Sequence, residues 1–217
     1  MALSRNGRDL KHLLRVAFYY HSTQNKDISD HLMNRAVAAV RKSMPYAEIW
    51  HLRGERVPKH TGVDKDILFT PFRRIHHQAM MPPGPTLFLD IDVWVQKDIY
   101  EVFYDKPDAA VCVRTQYDFK RPETWGFPPY NAGVIFSTSQ KFWQKFAEHH
   151  AEENFPWNDA TTCRFIEKAE AMGLYIKKLP GAIYNYTPHE PDEDLSGKSI
   201  IHYKGEAKKY WMKHREC

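Results

Sequence analysis

Cysteine is scarce in this chain, with three among 217 residues: Cys112, Cys163 and Cys217. They lie far apart and form no C-x-x-C pair. That excludes a zinc ribbon and a dithiol redox motif. An odd, scattered set does not suit a disulfide scaffold, so a reducing compartment is expected. Long apolar runs are also missing, and none approaches the ~18 residues of a membrane span. The opening MALSRNGRDLKHLLRVAFYY has no apolar core followed by a cleavage site, as a secretory leader would. These absences predict a soluble, cytoplasmic protein. No internal repeat, low-complexity tract or flexible linker divides the chain, so residues 1–217 read as one domain. Strong charge is absent too: the formal net charge is +4. The basic residues that stand out lie near the ends, at Arg5, Arg8, Lys11 and Arg15 and at Lys204, Lys208, Lys209, Lys213 and Arg215. A polyanion-binding domain concentrates such residues in stripes, so nucleic acid is not expected as the main partner. A small anion such as a diphosphate needs no more than this.

What is present is core-forming material. The chain is 42% hydrophobic and 27% charged, which suits a globular fold and not a disordered one. LRVAFYYHS (14–22) reads as a strand. DISDHLMNRAVAAVRKSM (27–44) has Leu32, Ala36, Val37 and Val40 at helical spacing. AEIWHLR (47–53) is a second strand. DILFTPFRRIHHQAMM starts extended, and Pro71 suits the first turn of a following helix. A Pro82-Pro83-Gly84-Pro85 break precedes the strand TLFLDID (86–92). Further on come a strand at DAAVCVRT and a long polar and aromatic loop at 116–130. The strand NAGVIFSTS follows, then a helix capped by Ser139 and a second helix that opens near Asp159 and closes at Gly173. LYIKKLP and AIYNYTP read as short extended pieces. HEPDEDLSGKS reads as an acidic loop, and IIHYKGEAKKYWMKH as a strand, a Gly turn and a helix. Alternating strands and helices predict an α/β domain with a mostly parallel, doubly wound sheet. Ligands in such sheets bind beyond the carboxyl ends of the strands.

Asp90 and Asp92 stand at such an end, with Ile91 between them and apolar residues on both sides. Two like charges so placed repel unless a counter-charge or a proton compensates. Taken alone, the pair admits three readings. It can be a solvated strand end. It can be the nucleophile and acid of an aspartyl phosphohydrolase, although Val93-Trp94 stands where Gly and Thr usually follow. It can be a site for a hard divalent cation, Mn²⁺ or Mg²⁺, that holds a diphosphate. Other residues bear on the choice. Asn131, Ala132 and Gly133 open a strand, and Gly allows close approach of a ligand or of another group. His202 ends an apolar strand and offers an imidazole as third metal ligand. Gly205 and Lys208 follow it at spacings of three and suit phosphate.

In this order, FLDIDVWV, NAGVIFS, NDATT and HYKGEAKKYW resemble the retaining GT-A glycosyltransferases related to glycogenin and the bacterial lipopolysaccharide galactosyl- and glucosyltransferases, family 8-like enzymes. The resemblance spans most of the chain. It implies a single Rossmann-like GT-A domain that binds a nucleotide sugar, with a UDP-sugar as donor. Asp90, Asp92 and His202 would hold the metal. Ile91 would lie in the donor site, Gly205 and Lys208 would hold the diphosphate, and Asn131, Ala132 and Gly133 would line the sugar pocket. Asp159 and Asn131 would be the catalytic pair. His21, Ser22 and Thr23 would meet the nucleoside, and Arg74 or its neighbour Arg73 would contact the donor. The acceptor is left open among a glycan, a protein, a lipid-linked saccharide and a nucleic-acid base. The chain departs from the family pattern at two places: Ala160 replaces the Gln after Asp159, and Lys209-Tyr210-Trp211 replaces the Pro-Trp after Lys208. The phosphohydrolase and a non-catalytic nucleotide-sugar-binding module stand as the alternatives.

Overall fold

A computed structural model describes residues 11–20, 26–53, 65–68, 74–114, 129–153 and 159–204. The strands are β1 (Arg15–Tyr20), β2 (Glu48–Arg53), β3 (Lys65–Leu68), β4 (Thr86–Asp90), β5 (Val93–Val95), β6 (Ala109–Val113), β7 (Tyr130–Ser137), β8 (Ile176–Pro180) and β9 (Ile200–His202). The helices are α1 (Lys26–Ser43), α2 (Arg74–Met80), α3 (Gln140–Glu153), α4 (Asp159–Ala171) and α5 (Gly181–Tyr184). Seven strands form one sheet in the order β3-β2-β1-β4-β7-β6-β8. Every strand in it is parallel to β1 except β7, which runs antiparallel to both β4 and β6. The expected mostly parallel α/β sheet is therefore present.

Side-chain alternation along the strands separates two apolar layers. Val16 and Phe18 of β1 and Leu87 and Leu89 of β4 face one layer, where Leu32, Met33, Ala36, Val37 and Val40 of α1 meet them. Ala17 and Phe88 face the other, with Phe142 and Phe146 of α3 and Phe165 of α4. In this second layer Phe146 stacks on Phe165 with centroids 4.5 Å apart, and Phe88 meets Trp143 edge-on at 4.6 Å. Each such ring removes on the order of 150–250 Å² from water, which makes these contacts a main source of cohesion.

Helix ends follow local chemistry. Ser139 Oγ accepts from Phe142 N at 3.4 Å and caps α3. Gly173 adopts φ +76°, and Leu174 N then donates back to Ala169 O at 3.1 Å, which closes α4. Two expectations are corrected. The strand expected at TLFLDID stops at Asp90: the chain turns at Ile91-Asp92, and the apolar residues that follow form β5, which joins a separate two-stranded sheet with β9. AIYNYTP is not an extended piece, because Gly181–Tyr184 form one helical turn before a bridge at Tyr186. The expected Pro71 turn, the 116–130 loop up to Phe127-Pro128 and the terminal helix lie outside the described residues.

The start of the described chain is tied to the body through Asp98. Its carboxylate accepts from Lys11 Nζ at 2.8 Å, from Tyr46 Oη at 2.6 Å and from Tyr100 N at 2.9 Å. Partial burial pushes the Asp98 carboxyl up, but the bonds from Lys11, Tyr46 and Tyr100 outweigh it and hold the group below the usual carboxylate range. The stabilisation is therefore present above that range and lost as pH falls through the folded-state value. Solvent screens the ion pair, so Asp98→Ala should cost about 1 kcal/mol at neutral pH and less in acid, measured by urea unfolding across pH.

Candidate metal centre

Three elements converge on one corner of the sheet. β4 ends at Asp90, which is partly exposed. The chain turns, and Asp92, 8% exposed, lies at the head of β5. β5 pairs antiparallel with β9, so that Val93 stands opposite His202. Tyr203 N donates to Asp92 O at 2.9 Å and extends the pairing to the Asp itself. This short ribbon joins residues far apart in sequence and fixes the imidazole against the carboxylates. His202 is 3% exposed, and its Nε2 lies 3.1 Å from Asp92 Oδ1 and 4.0 Å from Asp90 Oδ2. One ligand atom from each of Asp90, Asp92 and His202 lies within 4.8 Å of the others. Two carboxylate oxygens and an imidazole nitrogen are a donor set that suits a hard or borderline divalent ion. A cation held there would supply the counter-charge that two adjacent carboxylates, one of them buried, call for.

β7 supplies the space for this corner. Between Val111 and Cys112 the β6–β7 register jumps, with Val111 opposite Ile135 and Cys112 opposite Asn131. The irregularity falls on Ala132, Gly133 and Val134, and bulges of this kind re-aim a strand beside a functional site. A Cβ on Gly133 would overlap His202 Cε1 and lie 2.8 Å from Asp90 Oδ2. Gly133 is thus the position at which the imidazole rests on the strand. Ala132 is wholly buried and packs in the second apolar layer.

A chain of amide contacts backs the imidazole. His202 Nδ1 is 2.9 Å from Asn185 Oδ1, and Asn185 Nδ2 donates to Asn131 Oδ1 at 2.8 Å. Gly133 N donates to the same Asn131 oxygen at 3.1 Å. The structure therefore brings together Asp90, Asp92, Asn131, Gly133 and His202 among the expected residues. Ile91 sits in the turn, partly buried against the first apolar layer. Asp159 and Arg74 are the first residues of α4 and α2. His21, Ser22, Thr23, Arg73, Gly205 and Lys208 lie outside the described residues. Sequence reasoning missed Asn185. Its sole signal is a polar residue, 2% exposed, in the aromatic segment AIYNYTP.

No protein-family model and no curated protein sequence matches this chain. Solved structures do. A galactosyltransferase LgtC in complex with donor and acceptor sugar analogs aligns with TM-score 0.59 and 13% identity, covering 94% of this chain and 90% of that one. The glycosyltransferase GlyE of Streptococcus pneumoniae TIGR4 aligns with TM-score 0.57 and 15% identity over 91% of this chain and 59% of that one. A glycosyltransferase involved in glycosylation of the major capsid of PBCV-1 aligns with TM-score 0.55 and 14% identity, over 91% of this chain and 96% of its own. The α/β architecture is that of the GT-A glycosyltransferases. No helix among the described residues is long and apolar enough to cross a membrane.

Gly133→Ala should displace His202 or bend β7, because the main overlap is with the imidazole ring, which is buried and held by Asn185. The expected cost is about 1–3 kcal/mol, seen as a lower midpoint in urea unfolding.

Proposed function

We propose that this chain is a metal-dependent glycosyltransferase that moves a sugar from a nucleotide-sugar donor, a UDP-sugar, to an acceptor hydroxyl. The observation that carries this is the Asp90–Asp92–His202 cluster at the carboxyl end of β4 in a GT-A fold. His202 as a third ligand and the glycosyltransferase neighbours favour it over an aspartyl phosphohydrolase using Asp90 as nucleophile. Residues 1–217 act as one domain in this proposal, and the protein works in the cytoplasm. The acceptor is a glycan, a protein, a lipid-linked saccharide or a nucleic-acid base.

Asp90, Asp92 and His202 hold Mn²⁺ or Mg²⁺ in this scheme. When bound, the ion neutralises charge that develops on the departing diphosphate. Lys208 adds a point charge to the same phosphates, and Gly205 lets the backbone approach them. His21, Ser22 and Thr23 meet the nucleoside, Arg74 the donor, and Ile91 stays in the donor site by its place in the turn. Asn131, Ala132 and Gly133 form the wall beside the sugar. Both lone pairs of Asn131 Oδ1 are taken by Gly133 N and Asn185 Nδ2, so contact with a sugar falls to its amino group. Asp159 faces the sugar and acceptor from the start of α4. The acceptor oxygen attacks the anomeric carbon on the face that the diphosphate leaves. The C–O bond to phosphate breaks as the new C–O bond forms, and the acceptor proton passes to the departing phosphate. Anomeric configuration is retained, which NMR of an early product would show; an inverted product contradicts this route.

Calorimetric titration tests the donor site. UDP should bind in Mn²⁺ and lose its heat signal in EDTA, and Asp92→Ala should lower affinity by about a hundredfold, the order expected when one member of a buried charged set is removed. UDP binding that ignores both EDTA and Asp92→Ala contradicts the proposal.

A further inference from the structure

The amide chain behind His202 has a direction, and a backbone group sets it. Gly133 N–H can only donate, so the Asn131 atom 3.1 Å from it is the carbonyl oxygen. Asn185 meets that same oxygen at 2.8 Å, which a second oxygen could not do as a hydrogen bond; its facing atom is Nδ2. The other end of the Asn185 amide is then Oδ1, 2.9 Å from His202 Nδ1. An acceptor there requires a proton on Nδ1. A neutral imidazole carries one ring proton, so Nε2 is left with its lone pair. That lone pair faces the carboxylates of Asp92 at 3.1 Å and Asp90 at 4.0 Å.

We propose that Asn185 is a positioning residue that holds His202 in the Nδ1–H tautomer and turns its Nε2 lone pair toward a divalent cation. This relay rests on the cation site proposed above. The backbone holds the pair in register. Tyr186 N donates to Ile200 O at 3.0 Å, and His202 N donates to Tyr186 O at 2.7 Å. Asn185 N itself donates to Gly181 O at 3.0 Å, which anchors the residue to the α5 turn. Gly181 in turn presses on Val113, whose carbonyl oxygen a Cβ would overlap. Asn185 is therefore fixed from both sides along its backbone, and its side chain spans the gap between β7 and β9. Partners of this kind, one step behind a ligating histidine, set its tautomer and its basicity toward the metal.

Mn²⁺ binding, followed by the paramagnetic resonance signal of the free ion, tests the relay in wild type, Asn185→Leu and Asn185→Asp. Asn185→Leu should weaken Mn²⁺ binding by about 10–100-fold. Asn185→Asp keeps an oxygen facing Nδ1–H but sets its second oxygen against Asn131 Oδ1, so its Mn²⁺ binding should fall between that of wild type and that of Asn185→Leu. If Asn185→Leu does not fold, Asn185→Ser, too short to reach the ring, takes its place. The wild-type protein loaded with diamagnetic Cd²⁺ gives a readout that needs no variant. Ring ¹⁵N NMR of His202 should show a metal-shifted Nε2 and a slowly exchanging Nδ1–H. Mn²⁺ binding that is equal in wild type and in Asn185→Leu overturns the relay and leaves the cation site standing, as does a metal-shifted Nδ1. A wild-type protein that binds no Mn²⁺ overturns both.

Discussion

Two carboxylates one residue apart, at the end of a buried strand, repel each other, and much of the architecture around them answers that repulsion. Asp90 is delivered by β4, a central strand held between β1 and β7. Asp92 is carried off the sheet by the turn and is locked by the β5–β9 ribbon, which brings His202 to within 3.1 Å. Gly133 clears the volume that the ring fills. None of these parts makes the corner alone. The strand end supplies negative charge, the ribbon supplies nitrogen, and the bulged strand supplies room. A divalent cation would satisfy all three together.

This division also explains which parts were legible from the amino acids. The βα alternation, the α1 apolar stripe, the Ser139 cap and the Gly173 closure depend on local chemistry, and each stands where expected. Asp90, Asp92 and His202 were legible because their residue types and strand-end positions carry the chemistry. The antiparallel course of β7 was not, because periodicity records which face a side chain takes and not which way the strand runs. The departure of β5 was hidden for a similar reason. Val93-Trp94-Val95 is apolar whether it continues β4 or pairs with β9, and only the distant Ile200–His202 segment decides. Asn185 was the least visible. The helical turn before it is too short to show a pattern, and the residue acquires meaning only through groups far away in the chain.

The network behind the ligands restrains their geometry from inside the protein. Asn185 and Asn131 are 2% and 6% exposed, and the oxygens and hydrogens they exchange are spent within the protein. Buried polar groups of this sort are costly when half satisfied and rigid when complete. Here the sequence of bonds from Gly133 N to His202 Nδ1 is continuous, so the corner is set before any ligand arrives.

The β5–β9 ribbon has a consequence for the order in which the molecule is completed. Asp90 and Asp92 leave the ribosome more than a hundred residues before His202. Until Ile200–His202 emerges, the apolar Val93-Trp94-Val95 segment has no strand to pair with, although the strands that flank β4, namely β1 and β7, have been made. A nascent chain in this state carries an open β edge, the kind of surface that recruits other chains. Arrival of β9 closes that edge and brings the imidazole in the same motion. The cation corner is thus among the last parts of the described fold to form, and an ion held there would join the middle of the chain to its last described strand like a clasp.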